Sequence, residues 1–212
     1  MKSPQERAKE LYAYCLMHVS DTDAGDPRRR YRIFYYDCPP VEQIVFNPVT
    51  QTNINLKKQP IYQWSMDFFD ELATKRKVAL RLGRLSTINI CYNLKNDALK
   101  DICSGRRTVA SLTNLDLQLN VEQKGVDMRI GIDMAHLAYK RLVDQVILIS
   151  GDSDFVPAAK LARREGLDVI LDPMQAHTSP DLREHVDGVK SHAVDILARL
   201  SANPAIVTSQ VP

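Results

Sequence analysis

The chain has 212 residues, 44% hydrophobic and 25% charged, with 28 Lys and Arg against 26 Asp and Glu and a formal charge of +2. This is the composition of a soluble globular protein with enough apolar content for a core, and it excludes disorder, collagen and coiled coil as descriptions of the whole chain. No apolar run approaches the ~18 residues of a membrane span, and residues 1–12 are charged where a secretory signal would be apolar, so we expect a cytoplasmic protein that makes no membrane contact. Cys15, Cys38, Cys91 and Cys103 are irregularly spaced without a CxxC pair, which predicts neither a zinc site nor a disulfide framework.

Taken in order, residues 6–19 place Ala8, Leu11, Tyr12, Cys15, Leu16 and Val19 on one face of an amphipathic helix. The basic run Arg28, Arg29, Arg30, Arg32 follows, and then residues 31–36, aromatic and β-branched and stopped by Asp37-Cys-Pro-Pro, read as a buried strand. Residues 41–60 predict a loop or short hairpin, 61–75 a helix carrying Trp64, Phe68, Phe69 and Leu72, and 78–82 a strand. Residues 86–120 read as an insertion, with a strand over 88–92, helical scraps around 98–103 and an alternating segment over 115–119. Beyond it the pattern sharpens: helix 126–140, strand 146–150, helix 155–164 ended by Gly166 at C′, strand 169–171 and a last helix over 190–200. Apolar strands alternating with helices predict a parallel sheet covered on both faces, in one domain spanning residues 1–200 with a flexible tail at 201–212.

The stretch Val146-Ile-Leu-Ile-Ser-Gly-Asp-Ser-Asp-Phe-Val-Pro157 carries the most chemistry. An aliphatic strand runs straight into Asp152, Ser153 and Asp154, and in an open parallel sheet sites form at the carboxyl ends of strands. Two carboxylates so close repel unless a cation or a hydrogen-bond network compensates. Ser153 or Asp154 as a helix cap explains one acid and leaves the other without a role. Lys124-Gly-Val-Asp127 places a second acid at a helix start, where the dipole favours it even without chemistry. Asp133, six residues on, lies roughly 240° round the helix, so the two acids cannot face one metal in a regular helix.

Lys124-Gly-Val-Asp127, the helix holding Asp133, Ser150-Gly-Asp-Ser-Asp-Phe155, Arg164-Glu-Gly166 and His185-Val-Asp187 occur in an order that resembles the NYN domain proteins of the PIN-like superfamily, in particular the LabA-like group. Residues 33–37 and Leu82-Gly-Arg-Leu85 are similar to that group as well. The resemblance implies a three-layer α/β/α sandwich with a mostly parallel sheet and metal-dependent cleavage of RNA. It implies that Asp127, Asp152 and Asp154 bind Mg²⁺ or Mn²⁺, with Asp133 a fourth candidate at a less defined position. Lys124, Ser153 and Arg84 are the candidates for phosphate or RNA contact. Independently, hard divalent cations prefer carboxylate oxygens and water, and such ions can activate water toward a phosphodiester.

One departure stands out. These proteins open with a strand ending in an Asp-Gly-x-Asn type motif, which this chain does not show. Either the segment lies upstream of Met1, or the sheet lacks a central strand and the site one ligand, in which case a homodimer across the gap is expected. The alternative function is then a non-catalytic RNA-binding or regulatory module on the same fold. A phosphohydrolase for small esters is a third reading. The basic runs, including Lys75, Arg76, Lys77, Arg81 and Arg84 and the pair Arg106 and Arg107, either approach phosphate or form solvated faces. The five histidines show no ligand spacing, and no phosphate loop, dinucleotide fingerprint or nucleophile elbow is present.

Overall fold

The computed structural model describes residues 2–20 and 29–192. Helix α1 (Pro4–Ser20) opens on a reciprocal cap, in which the Ser3 hydroxyl accepts from the Glu6 amide and the Glu6 carboxylate from the Ser3 amide. Strand β1 (Ile33–Asp37) is followed by the hairpin β2 (Ile44–Asn47) and β3 (Thr52–Asn55), then α2 (Pro60–Ala73) with proline in its first turn, and β4 (Val78–Leu82). β1 and β4 are parallel, Ile33 opposite Val78 through Asp37 opposite Leu82, which requires the crossover that α2 supplies.

The stretch read as an insertion, 86–120, folds as β6 (Cys91–Leu94), α3 (Asn96–Cys103) and β7 (Leu117–Asn120) between the flanking β5 (Arg84–Leu85) and β8 (Gln123–Lys124), with β6 paired to β7 and β5 to β8, both antiparallel. The strand expected over 88–92 starts only at Cys91, and Ile88 is 72% exposed. The remainder is α4 (Val126–Tyr139), β9 (Gln145–Ile149), α5 (Val156–Arg164), β10 (Asp168–Asp172), α6 (Pro180–Glu184) and β11 (Gly188–Val189), with β10 paired in parallel to β9 on one side and β11 on the other. Gly166 follows α5 at φ +91°, the left-handed position expected of it. The helix expected over 190–200 falls outside the described residues from 193 on, as does the tail 201–212.

Two cores define the layers. Ala8 of α1 and Phe68, Phe69 and Leu72 of α2 pack against Tyr35, Val78, Leu80 and Leu82 on one face of β1 and β4. On the opposite face Tyr36 and Leu85 join a larger core in which Val126, Ile130 and Met134 of α4 and Val156, Ala159 and Ala162 of α5 meet Leu148, Val169 and Leu171. Because side chains alternate along a strand, Val169 and Leu171 face α4 and α5 while Asp172 turns to the other side, where Tyr14 and His18 of α1 bond it. The chain is thus an α/β protein with parallel sheets between helical layers.

The parallel strands nevertheless fall into two sheets, and among the described strands none is hydrogen-bonded to both β1 and β9. This corrects the expectation that β1 is buried. β10, paired on both sides, buries Val169, Leu171 and Asp172, whereas every residue of β1, paired on one side, stays half-buried. No described helix is long and apolar enough to cross a membrane.

Candidate metal and phosphate site

Strand β9 ends at Ile149, and the Ser150 amide still bonds the Asp172 carbonyl at 3.0 Å, so the ladder holds the chain up to the turn. There the Ser150 hydroxyl accepts from the Asp152 amide at 3.2 Å, and the Asp152 Oδ1 accepts from the Asp154 amide at 3.0 Å. Asp152 therefore caps the short 3₁₀ turn over Ser153–Phe155, and α5 itself has no side-chain cap, so neither Ser153 nor Asp154 is the helix cap weighed for this stretch from its sequence. Phe155 is buried in the core and anchors the turn, while Asp152, Ser153 and Asp154 remain exposed. Gly151 passes close beneath: a Cβ there would stand 3.1 Å from the His177 carbonyl oxygen.

Helix α4 starts at Gly125, whose φ of +80° lies in the left-handed region and which offers no side-chain cap. Val126 turns into the core and Asp127, in the first turn, faces out. α4 packs against the Ser153–Phe155 turn, so the helix that carries Asp127 and the acidic loop are neighbouring elements. Asp133 goes elsewhere. Its Oδ2 accepts from Arg81 Nε at 2.8 Å and from the Tyr36 hydroxyl at 2.9 Å, which ties α4 to β4 and β1 and turns this carboxylate away from Asp127. The Tyr36 hydroxyl is pushed well above its usual range, first by burial and then by this bond.

Two residues that the sequence reading passed over belong to this end of the molecule. Asp37 closes β1, where its carboxylate accepts from the Tyr35 hydroxyl at 2.9 Å and from the Cys38 amide at 2.7 Å. The buried Cys38 thiol is raised, first by burial and then by the nearby Asp37 and Asp127 carboxylates, against a backbone bond from Lys124 and the charge of Arg129. Asp37, Asp127 and Arg129 thus all act electrostatically on the Cys38 thiol. The signal for Asp37 was available, since it ends a strand of a parallel sheet, and Asp152 likewise lies just past the end of one. Lys124 and Arg84 stand directly opposite on the β8–β5 ladder.

Asp127, Asp152 and Asp154 form no ion pair among the described residues, unlike Asp133, Asp116 and Asp187, which pair with Arg81, Arg107 and Arg163. The donor set is carboxylate oxygen only, which suits a hard divalent cation. Among the described residues, the group whose ligand atoms all lie within 4.8 Å of one another is Asp181, Glu184 and His185 on and beside α6, a helix that packs against the Ser153–Phe155 turn, and it includes none of these three acids.

A family model described as NYN domain matches residues 53–193. The protein named Uncharacterized protein y4oD, from Sinorhizobium fredii, is 33% identical over 87 residues, 37% of this chain and 41% of that protein, so the match spans about two fifths of the relative's length. A crystal structure of a protein of unknown function from Vibrio parahaemolyticus aligns at 20% identity with a TM-score of 0.30, over 58% of this chain and 75% of that one.

Proposed function

Since the chain belongs to the NYN domain family, a PIN-like nuclease fold, we propose that it is a divalent-metal-dependent ribonuclease that hydrolyses phosphodiester bonds of RNA. The observation that carries this reading is the trio of exposed, unpaired carboxylates, Asp127, Asp152 and Asp154, on two elements that pack together. In a protein whose other acids commonly find an Arg or Lys, leaving three like charges uncompensated on neighbouring elements is unfavourable unless a cation joins them.

In this reading Asp127, Asp152 and Asp154 hold Mg²⁺ or Mn²⁺, partly through water, which Mg²⁺ in particular retains. When bound, such an ion supplies a nucleophilic water at neutral pH and charge stabilisation at the phosphate. Asp152, with Oδ1 engaged by the Asp154 amide, presents its other oxygen from a fixed turn. Ser153 and Lys124, next to Asp152 and three residues before Asp127 in the chain and both exposed, contact the RNA backbone in this reading, with Arg84 opposite Lys124. The LabA-like group, a cytoplasmic location and a homodimer belong to this proposal as well.

The second reading, an RNA-binding or regulatory module without catalysis, is favoured by one observation: the three acids are not gathered within 4.8 Å. Calorimetric titration of Mn²⁺ separates the two. Binding by the wild-type chain that is lost in Asp127→Asn and in Asp152→Asn supports the metal site; no binding by the folded wild type supports the module.

A further inference from the structure

A pocket of about 350 Å³ opens at the start of α4, lined by Gly83, Arg84, Lys124, Gly125 and Arg129. Gly125 and Arg129 flank Asp127 by two residues on either side, so the pocket lies at the helix start that carries Asp127 without including that carboxylate. Its charged lining residues are all cations, and they come from three elements, β5, β8 and α4.

Their arrangement is electrostatically unfavourable as it stands. Arg84 and Lys124 are direct cross-strand partners in the antiparallel β5–β8 pair, a position in which side chains share one face and like charges repel. Lys124 has Glu122 at 3.5 Å as a partial partner. Arg84 and Arg129 form no ion pair with any described residue. The wall between them is bare backbone held that way by packing: a Cβ on Gly83 would stand 2.8 Å from the Lys124 carbonyl oxygen and 2.9 Å from Val126 Cγ2. A concave site with three converging cations, two of them unpartnered, is matched to an oxyanion.

We propose that this pocket holds a phosphate group of the RNA strand adjacent to the phosphodiester at the carboxylates, with Arg84 and Arg129 as its binding residues. The proposal rests on the ribonuclease reading only for the nature of the strand; the pocket itself is defined by its cations. The phosphate is either an internal diester or a terminal monoester. That distinction sets the cleavage mode, because a pocket that takes a strand end places the adjacent bond at the acids, whereas one that takes an internal phosphate allows cleavage within the strand.

The test measures binding of short fluorescent RNA by the full-length chain in EDTA, so that it does not depend on catalysis. Three forms of one sequence are compared: linear with a 5′-phosphate, linear with hydroxyls at both ends, and circular. We expect Arg84→Gln/Arg129→Gln to bind at least about tenfold more weakly than wild type, with a shallower dependence on salt, and inorganic phosphate to compete with wild-type binding. Preference for the 5′-phosphorylated form, lost in the variant, supports a terminal phosphate. Equal binding of linear and circular RNA, weakened alike in the variant, supports an internal one. In phosphate-free buffer Arg84→Gln should melt no lower than wild type, since it relieves a repulsion.

Unchanged RNA affinity in the double variant overturns the pocket, even if the wild type cleaves RNA. A wild type that binds through the pocket but never cleaves overturns the nuclease reading and leaves the pocket standing.

Discussion

His18 Nε2 lies 2.8 Å from Asp172 Oδ2, although the two residues are 154 positions apart. Asp172 ends β10 with no exposed surface, and His18 sits in the last turn of α1, so the pair fastens the first helix to the far sheet. The Tyr14 hydroxyl donates to the same oxygen, and the Met174 amide donates to Asp172 Oδ1 at 2.8 Å. Burial alone pushes the Asp172 carboxyl up; the bonds from His18, Tyr14, Met174 and Ser191 outweigh it and hold the group at about 2.

A depressed folded value means that the stabilisation is present above the unfolded value of 3.8 and is lost as pH falls through about 2. The span corresponds to roughly 2 kcal/mol. Urea midpoints of the wild type should therefore drop between about pH 4 and pH 2 more steeply than those of Asp172→Asn, which should also be less stable at pH 7 by about 2–4 kcal/mol. Parallel pH profiles for the two proteins contradict the assignment.

Asp133 is read here as a tie between α4 and the β1–β4 pair, through Arg81 and Tyr36, and not as a metal ligand. Asp133→Asn should cost about 1 kcal/mol of unfolding free energy, a modest figure because Arg81 is 40% exposed, and should leave Mn²⁺ affinity unchanged. A loss of Mn²⁺ affinity with stability intact would return Asp133 to the metal site.

Gly83→Ala should destabilise by about 1–3 kcal/mol, since the added carbon meets the Lys124 carbonyl oxygen and Val126 Cγ2 below 3 Å and the backbone atom cannot swing away. The loss should be measurable as a lower thermal midpoint, and a neutral outcome would mean that the β5–β8 pair is free to shift.

What could be read from sequence follows from how local each signal is. β4 ran over residues 78–82 as expected, and the acids after β9 declared themselves, because an aliphatic strand running into Gly-Asp-Ser-Asp is a short-range pattern. Gly166 was legible for the same reason. The partners of Asp133 lie 52 and 97 residues away and the two partners of Asp172 on α1 lie 154 and 158 away, so nothing in the neighbouring sequence separates these structural carboxylates from Asp127. Even the division into two sheets was out of reach, since the periodicity of β1 is that of a strand and does not say how many neighbours it has. Cap assignment failed on a finer point: Asp152, Ser153 and Asp154 are all good capping residues, and only the backbone at Asp152, φ −82° and ψ 128°, selects the first.

The most direct test of the central claim is cleavage of labelled single-stranded RNA by the full-length chain in Mn²⁺, beside Asp152→Asn/Asp154→Asn with its fold verified by thermal melting. The account predicts cleavage by the wild type that EDTA abolishes and that the double variant loses by about a hundredfold or more. Equal cleavage by wild type and variant, or a wild type that binds RNA and leaves it intact in Mn²⁺ and in Mg²⁺, would contradict it.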